Sequence, residues 1–466
     1  MNSSPTYHSS RTQYILASLI ILAAILVHIR SLLFPMLLYD DFGIVLSSWT
    51  WERTYSNLWT PVNEHSWPLT RLATYGIIQL AGRPTFFPLT AVAFSHLLQL
   101  VVMALTYRFI HRERGHPFFG LIAMAVFGIS AAYQEAIDWY AASPAMAALA
   151  FGLMALLAAQ RWERTRSRWA LILSAFCCAL APGWFAGGIL IGPLCTIYLI
   201  GRGSVAKSWL PSLMPLLGST AYLSVMLPHS GNVILNTDHY NGHSAIQAFS
   251  FTSAVENTGR ALVDSVLLGS LGVFHCPMPG AIVIAGLVFL AIVWVWRWNR
   301  AGDRRLMILG MAFILFNYLL IFGARANWPY AEQLSTWTRY NVFPQLGIAF
   351  VVSGALGPRG TMPASGLSIP QIRAIKILIL FLFVSQCPRG WFNGPMPLPK
   401  QMEILRKVES MDRRCIEHHI SADDARRILP AEIVPYSDYN CWLFLRGSPM
   451  PRAMNDVELN RILLDR

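Results

Sequence analysis

Charged side chains are scarce in this sequence. Asp, Glu, Lys and Arg together make up 13% of its 466 residues, whereas hydrophobic residues make up 55%. Soluble globular domains carry about 25% charged residues. So small a charged fraction over so long a chain excludes an ordinary soluble protein and indicates one that crosses a membrane several times.

The sequence also lacks the short motifs that hold nucleotides and structural zinc. It contains no Walker loop and no Rossmann glycine pattern. No cysteines or histidines have the spacing of zinc ligands, and His418 and His419 are adjacent on a predicted helix, so their side chains point in different directions. These absences argue against a nucleotide-dependent enzyme and against a zinc protein.

Long hydrophobic runs are what the sequence has in abundance. A helix needs roughly 20 apolar residues to cross the hydrocarbon of a bilayer. We therefore predict an all-α polytopic membrane protein with about eleven transmembrane helices. The predicted segments are 14–35, 89–110, 117–134, 143–160, 168–182, 184–201, 209–227, 279–297, 306–323, 341–357 and 374–387.

Basic residues set the predicted orientation, because loops rich in Lys and Arg stay in the cytoplasm. With the N-terminus inside, basic loops such as "RWERTRSR" at 161–168 and "RWNRAGDRR" at 297–305 all lie inside, and the acidic residues collect outside. The net charge of +12 is then a topology signal and predicts no nucleic-acid partner. We expect a multi-pass protein of the inner (plasma) membrane with an extracytoplasmic C-terminus.

This topology divides the chain into two regions. Residues 1–387 form the transmembrane domain, with a large outer loop at about 36–88, and 388–466 form a small extracytoplasmic α or mixed domain. The first segment lacks a clear cleavage site and is predicted to be an uncleaved anchor. Cys415 and Cys441 lie on the outer side, where an oxidising compartment permits a disulfide between them.

The stretch "LLYDDFGIVLSSWTW" places two adjacent carboxylates, Asp40 and Asp41, directly after the first predicted helix. An ionised carboxylate at the bilayer edge is costly unless it is paired or used. Helix capping or a surface salt bridge would explain one acid, but adjacent carboxylates repel each other, so a structural pair is the costlier choice. In a catalytic site, one carboxylate acts as general base while the other orients it or helps to hold a cation.

The same outer loop carries further polar and aromatic residues. Glu64 and His65 follow in "NEHSWPLTRL", and four tryptophans are interleaved with the acids. Tryptophan suits either the interfacial belt of a membrane protein or the apolar face of a sugar ring. The tryptophans are Trp49, Trp51, Trp59 and Trp67.

A second acidic motif follows the third predicted helix. "YQEAIDWYAASP" places Glu135 and Asp138 at i, i+3, which lie on one face if the helix continues. Near the outer end of the first helix, His28 and Arg30 interrupt the apolar run. Their polar groups are predicted to reach out to the membrane interface, which requires no functional role for either.

Two late outer arginines complete the set. Arg325 and Arg339, the latter followed by Tyr340, lie at the outer ends of the ninth and tenth predicted helices. The planar arginine fork matches the oxygens of a phosphate. Pairing of Arg339 with Glu332, or with a lipid headgroup, is the alternative explanation.

One reaction would use all of these groups. Nucleotide sugars and ATP are scarce outside the cytoplasm, so an energy-rich donor there has to be carried in the membrane. A sugar linked to a polyprenyl phosphate fits this requirement. A carboxylate would deprotonate the acceptor hydroxyl for attack on the anomeric carbon, and the arginines would stabilise the departing phosphate.

The motifs "YDDF", "NEHSWPLTRL", "EAIDWYAAS" and "RYNVFP", in this order and topology, resemble the GT-C membrane glycosyltransferases. The resemblance is greatest to the bacterial branch related to protein O-mannosyltransferases and the lipid A aminoarabinose transferase. It implies that Asp40 or Asp41 is the catalytic acid/base or a metal-adjacent carboxylate, that Arg339 binds the donor phosphate, and that Glu64 and His65 line a substrate pocket. The tryptophan-rich signature of the oligosaccharyltransferases is missing, so the acceptor stays open between lipid, glycan and protein, and a divalent cation is the one cofactor under consideration.

Two other classes of protein remain alternatives. A transporter or flippase of a lipid-linked saccharide would share the helices and the aromatic residues, but it should carry repeated halves or ionisable residues near the midplane. A structural subunit of a cell-envelope assembly would use the 388–466 region to bind its partner. The clustering of acids at the outer face favours the transferase.

Overall fold

The computed structural model describes most of the transmembrane region of the chain. It covers residues 10–37, 40–60, 66–82, 86–201, 209–236, 250–263, 303–325, 337–356 and 367–392. Helix dominates these ranges, and no strand occurs within them. The predicted segment 279–297, the outer tail from 393 onward and the Cys415–Cys441 pair lie outside them.

Sixteen α-helices follow one another in the described ranges. They are α1 Ser10–Leu33, α2 Asp40–Ser47, α3 Trp51–Ser56, α4 Pro68–Ala81, α5 Phe87–Arg114, α6 Pro117–Gly128, α7 Glu135–Asp138, α8 Pro144–Thr165, α9 Arg168–Trp184, α10 Ile191–Ile200, α11 Trp209–Ser212, α12 Met214–Asn236, α13 Phe251–Ala261, α14 Arg304–Ala324, α15 Val342–Ala355 and α16 Ile369–Phe392. Short 3-10 turns lie at Ala131–Tyr133, Tyr140–Ala142, Ala186–Leu190 and Thr338–Asn341.

Five of the described stretches are long and apolar enough to cross a membrane. They are Arg11–Leu33, Phe87–Arg114, Tyr140–Thr165, Arg304–Ala324 and Ile369–Trp391. Three shorter apolar helical stretches accompany them, at Pro117–Gly128, Arg168–Trp184 and Ala186–Ile200. The architecture is therefore that of an all-α membrane protein, and the total of about eleven spans stays a prediction.

Local sequence signals explain where several of these helices begin and end. Proline stands in the first turn of α4, α5, α6 and α8, where its missing N–H costs nothing. Helix α5 ends at Gly115, whose φ of 73° is left-handed and suits glycine. The predicted span 117–134 is helical only as far as Gly128, and an irregular stretch follows it.

Two facing glycines lie at a close helix crossing. Helices α14 and α15 pack against each other over their length. At the crossing, a Cβ on Gly347 would lie 2.5 Å from the carbonyl oxygen of Gly310 and 2.7 Å from Ile314. Small residues at such a crossing let two backbones touch, which is a common means of packing helices in membranes. This contact fixes α15, which directly follows the Thr338–Asn341 turn that carries Arg339 and Asn341.

A buried ion-pair network joins four helices at one end of the bundle. We call Glu113, Gln160, Glu163, Tyr198 and Arg305 the Arg305 cluster. Arg305 bonds Glu163 at 2.7 Å, and Glu113 accepts bonds from Tyr198 at 2.6 Å and from Gln160 at 2.8 Å. The arginine also lies 3.3 Å above the Tyr198 ring. The loops predicted to be cytoplasmic flank this end, and the side of the membrane that it faces stays a prediction.

The glycine crossing yields a stability prediction. We expect Gly347→Ala to lower the stability of the protein by about 1–3 kcal/mol, because the added methyl group must push two packed backbones apart. Gly76→Ala is the matched control, since Gly76 is also helical but a Cβ at that position would meet no atom within 4 Å. It should leave stability unchanged or raise it by up to ~1 kcal/mol. Thermal unfolding in detergent measures both, and equal melting temperatures would contradict the prediction.

Candidate functional site

The first-loop acids begin helix α2. Asp41 is fully buried, and its Oδ1 accepts a hydrogen bond from the backbone N–H of Ala141 at 2.6 Å. Asp40 is the first residue of α2, and its side chain lies outside the described part of the chain. The bond from Ala141 ties the start of α2 to the turn before α8, although 100 residues separate the two in sequence.

An irregular stretch at 129–143, between α6 and α8, forms the centre of the site. We call it the broken segment. Side chains from distant parts of the chain satisfy its backbone: Gln386 accepts from Ala131 N–H at 3.0 Å, and Asn341 donates to the Ala132 carbonyl at 2.9 Å. Backbone groups that are buried without a helical partner need side-chain partners of this kind. The broken segment therefore has a fixed position, and so do the acids that it carries.

Arg339 meets the broken segment at Glu135. Its Nη1 lies 3.2 Å from the Glu135 carboxylate, and both side chains are partly exposed. Three aromatic rings surround the guanidinium, with centroids 4.6 Å away for Trp139, 4.0 Å for Trp337 and 5.0 Å for Tyr340. Aromatic faces stabilise a cation and hold its plane in place. The arginine is thus pre-oriented while it keeps part of its surface accessible.

The second predicted phosphate ligand lies on the same aromatic residue. The Arg325 guanidinium is 5.1 Å from the Tyr340 ring, so both arginines pack against Tyr340. Tyr340 itself is buried. The proposed alternative partner of Arg339, Glu332, lies outside the described ranges, and Glu135 is its acidic partner within them. The structure thus brings Arg325 and Arg339 to the same aromatic ring.

Asp138 is the second acid of the broken segment. It lies one turn after Glu135 in the short helix α7, on the same face, as the spacing predicts. Its Oδ1 accepts a hydrogen bond from Gln134 at 2.7 Å. Burial raises the pKa of Asp138 to about 7, while the bond from Gln134 and the charge of Arg30 oppose this rise. A carboxyl group with this pKa exchanges its proton near neutral pH.

The predicted exposure of His28 and Arg30 at the membrane interface is wrong. Both are buried inside the bundle, with relative exposures of 0% and 1%. His28 lies 2.5 Å from the Gln134 side-chain oxygen, and Arg30 donates to the Trp391 carbonyl at 3.0 Å. Ionisable residues within a span usually face the bundle interior and serve a function. The position of both residues within a predicted span was the signal that could have indicated their burial. Their closeness to the end of the helix favoured the interface instead.

Glu64 and His65 lie outside the described ranges, but the same motif continues into α4. There Arg71 is buried and donates to the Thr60 carbonyl at 2.9 Å and to the Ser47 hydroxyl. Burial lowers the pKa of Arg71 to about 10. Arg71 thus connects α4 with Ser47 of α2 and with Thr60. The sequence pattern did not indicate this structural role.

The tryptophans of the first outer loop divide into two groups. Trp49 and Trp67 are buried, so they do not belong to an exposed interfacial belt. Trp51, in contrast, is 51% exposed, as a belt residue or a sugar-stacking residue would be. For Trp51, in contrast to Trp49 and Trp67, both the membrane interface and the stacking on a sugar stay open as explanations.

The described residues contain no group of three His, Cys, Asp or Glu side chains that could hold a metal ion. A divalent cation therefore stays a prediction from the resemblance. Comparison of the chain with protein-family models and with curated protein sequences finds no match. The resemblance to the GT-C glycosyltransferases thus rests on the four short motifs.

The Asp41–Ala141 bond yields a prediction. We expect Asp41→Asn to fold normally, because the amide oxygen of Asn still accepts from the Ala141 N–H. Asp41→Leu, of similar volume, leaves that buried N–H without a partner and should cost about 1–3 kcal/mol. Thermal unfolding of the two purified variants distinguishes them. Equal stability of both variants would show that the bond contributes little.

Proposed function

We propose that this protein is an integral membrane glycosyltransferase of the inverting, GT-C type. It moves a sugar from a polyprenyl-phosphate donor to an acceptor hydroxyl on the extracytoplasmic face. The observation that supports this most is the convergence of Asp41, the Glu135–Asp138 pair and Arg339. These residues come from three distant parts of the sequence and are tied together through the broken segment.

The proposed reaction is a single displacement at the anomeric carbon. A carboxylate takes the proton of the acceptor hydroxyl, whose oxygen then bonds to the anomeric carbon. The bond from that carbon to the phosphate oxygen breaks, and its electron pair leaves with the polyprenyl phosphate. Arg339 and Arg325 stabilise the charge that builds on this leaving group. Attack from the side opposite the phosphate inverts the configuration of the sugar.

The two first-loop acids receive different roles. Asp41 is buried and bonded to the backbone of Ala141. We therefore assign the proton acceptor to Asp40 and the orientation of the loop to Asp41. A base has to come within hydrogen-bond reach of the acceptor hydroxyl, and a residue already engaged with an amide is the less suitable of the two.

This assignment predicts a difference between two conservative variants. Asp40→Asn should be inserted and folded but lose turnover by about 100-fold or more, as general-base removal does. Asp41→Asn should keep most of its turnover, because its backbone bond survives. The measurement is sugar release from a panel of radiolabelled polyprenyl-phosphate sugars by purified protein. The reverse result would move the base by one residue, and normal turnover in both variants would refute a first-loop base.

The same panel separates the transferase from a transporter. Turnover by the wild-type protein identifies the donor. Saturable binding of a donor without turnover, in the presence of lipid, glycan and protein acceptors, would contradict the transferase and support a flippase of lipid-linked saccharides.

Arg339 provides a test of donor recognition. We expect Arg339→Ala to weaken donor binding by roughly ten- to a hundred-fold, because a charge-assisted bond to phosphate contributes about 1.5–3 kcal/mol. Arg339→Lys keeps the charge but loses the planar fork, so its loss should be smaller.

The control for this test is Arg260→Ala. Arg260 lies on α13 and pairs with the exposed Glu256, four residues earlier in the same helix. Its removal should leave donor affinity unchanged. Equal affinity in wild type, Arg339→Ala and Arg339→Lys would remove Arg339 from the donor site.

A further inference from the structure

A chain of hydrogen bonds leads from the first transmembrane helix to Asp138. The side-chain nitrogen of Gln134 donates to Asp138 Oδ1 at 2.7 Å, and the oxygen of the same amide lies 2.5 Å from His28 Nδ1. Because an amide oxygen can only accept, Nδ1 of His28 carries the proton and donates it. The chain therefore has one direction, from His28 through Gln134 to Asp138.

The first two members of this chain are held rigidly. His28 and Gln134 have relative exposures of 0%. The His28 ring stacks on Tyr133, with centroids 5.6 Å apart and planes at 23°. Such packing excludes water that would compete for the bonds, and it leaves each side chain one orientation. Because both side chains are held in place, the bond from Gln134 also holds the Asp138 carboxylate in one position.

Neighbouring residues of α1 support the same carboxylate. The Ser31 hydroxyl donates to the His28 carbonyl at 2.8 Å and lies 2.9 Å from His96 Nε2. The charge of Arg30 also stabilises the charged form of Asp138. One turn of α1 thus supplies an imidazole, a guanidinium and a hydroxyl to the surroundings of one acid. None of these groups is needed to keep an apolar helix in a membrane.

We propose that His28 and Gln134 are positioning residues of the candidate site, and that they hold the Asp138 carboxylate in one orientation toward the bound substrate. Asp138 then accepts a hydrogen bond from a hydroxyl of the sugar or of the acceptor. This inference rests on the proposed glycosyltransferase function for the identity of the substrate, but the hydrogen-bond chain itself can be tested without turnover.

The chain also affects the proton affinity of Asp138. Burial raises the pKa of Asp138 to about 7, and the nearby charge of Glu135 contributes to the rise. The bond from Gln134 favours the charged carboxylate, so its loss should raise the pKa of Asp138 further. The charged groups that act on Asp138 directly are Arg30 on α1 and Glu135 on α7. Behind its neighbours lie His28, which bonds Gln134, His96 on α5, which bonds Ser31, and Arg339, which pairs with Glu135.

Infrared titration of the full-length protein in lipid nanodiscs tests this directly. We expect a protonated-carboxyl band that disappears with a midpoint near pH 7 in wild type and is missing in Asp138→Asn. Gln134→Met keeps the side-chain volume but cannot donate, so its midpoint should move up by about one pH unit. Gln345→Met is the control, because the amide of buried Gln345 donates to the Val126 carbonyl instead. Its midpoint should stay at the wild-type value.

Two substitutions of His28 distinguish positioning from mere packing. His28→Asn retains an N–H that can donate to Gln134, whereas His28→Leu does not. The Leu variant should move the Asp138 midpoint in the same direction as Gln134→Met, and the Asn variant should restore it. If a donor has been identified, the acidic limb of the kcat/KM profile should move with the infrared midpoint.

The results that would overturn the hydrogen-bond chain differ from those that would refute the glycosyltransferase function. Midpoints that are the same in wild type, Gln134→Met and His28→Leu would overturn the hydrogen-bond chain, whatever the protein catalyses. Shifted midpoints with no turnover of any donor would leave the chain in place and refute the glycosyltransferase proposal. If Gln134→Met fails to fold, the comparison of His28→Leu with His28→Asn decides the question alone.

Discussion

The arrangement of the site depends on one constraint, which is that backbone N–H and C=O groups cannot remain buried without partners. The broken segment at 129–143 leaves the α-helical pattern inside the bundle, and many of its amides bond to nearby backbone carbonyls. Other backbone groups of the segment take partners from remote elements. Gln386, Asn341 and Asp41 supply those partners from three remote regions. Each partner adds a fixed point, and together they determine where the acids of the segment lie. The same hydrogen bonds that remove an energetic cost therefore also build the candidate site.

Charged side chains at the two ends of the bundle differ in how far they are exposed. In the Arg305 cluster, Arg305 is enclosed by Glu113 and Glu163, and every one of these side chains is at most 7% exposed. Removing either partner of such a buried ion pair destabilises a protein, and the pair leaves no exposed charge for a ligand. Around the broken segment, Arg339 and Glu135 keep 18% and 17% of their side-chain surface exposed. Exposed, pre-oriented charge is what a binding site requires, which is why the candidate site is assigned to that end.

The sequence alone was sufficient for the fold class and for most of the residues that gather at the site. The apolar runs predicted the long helices because hydrophobic length is a local property of the chain. Asp41, Glu135, Asp138 and Arg339 were recognisable because each lies just outside such a run. The roles of His28 and Gln134 could not be predicted in this way. A helical pattern gives the face on which His28 lies, but not that Gln134 will stand opposite it, since that depends on where the helix before Gln134 breaks.

The order in which the chain is made gives the broken segment a further consequence. Ala131 bonds to Gln386, which is 255 residues later in the sequence. At about 5–20 residues per second, synthesis of that interval takes roughly 13–50 s. During this time the segment is already in the membrane without its last partner. The last of the hydrogen bonds that hold the segment can therefore form only after the final described helix has been made.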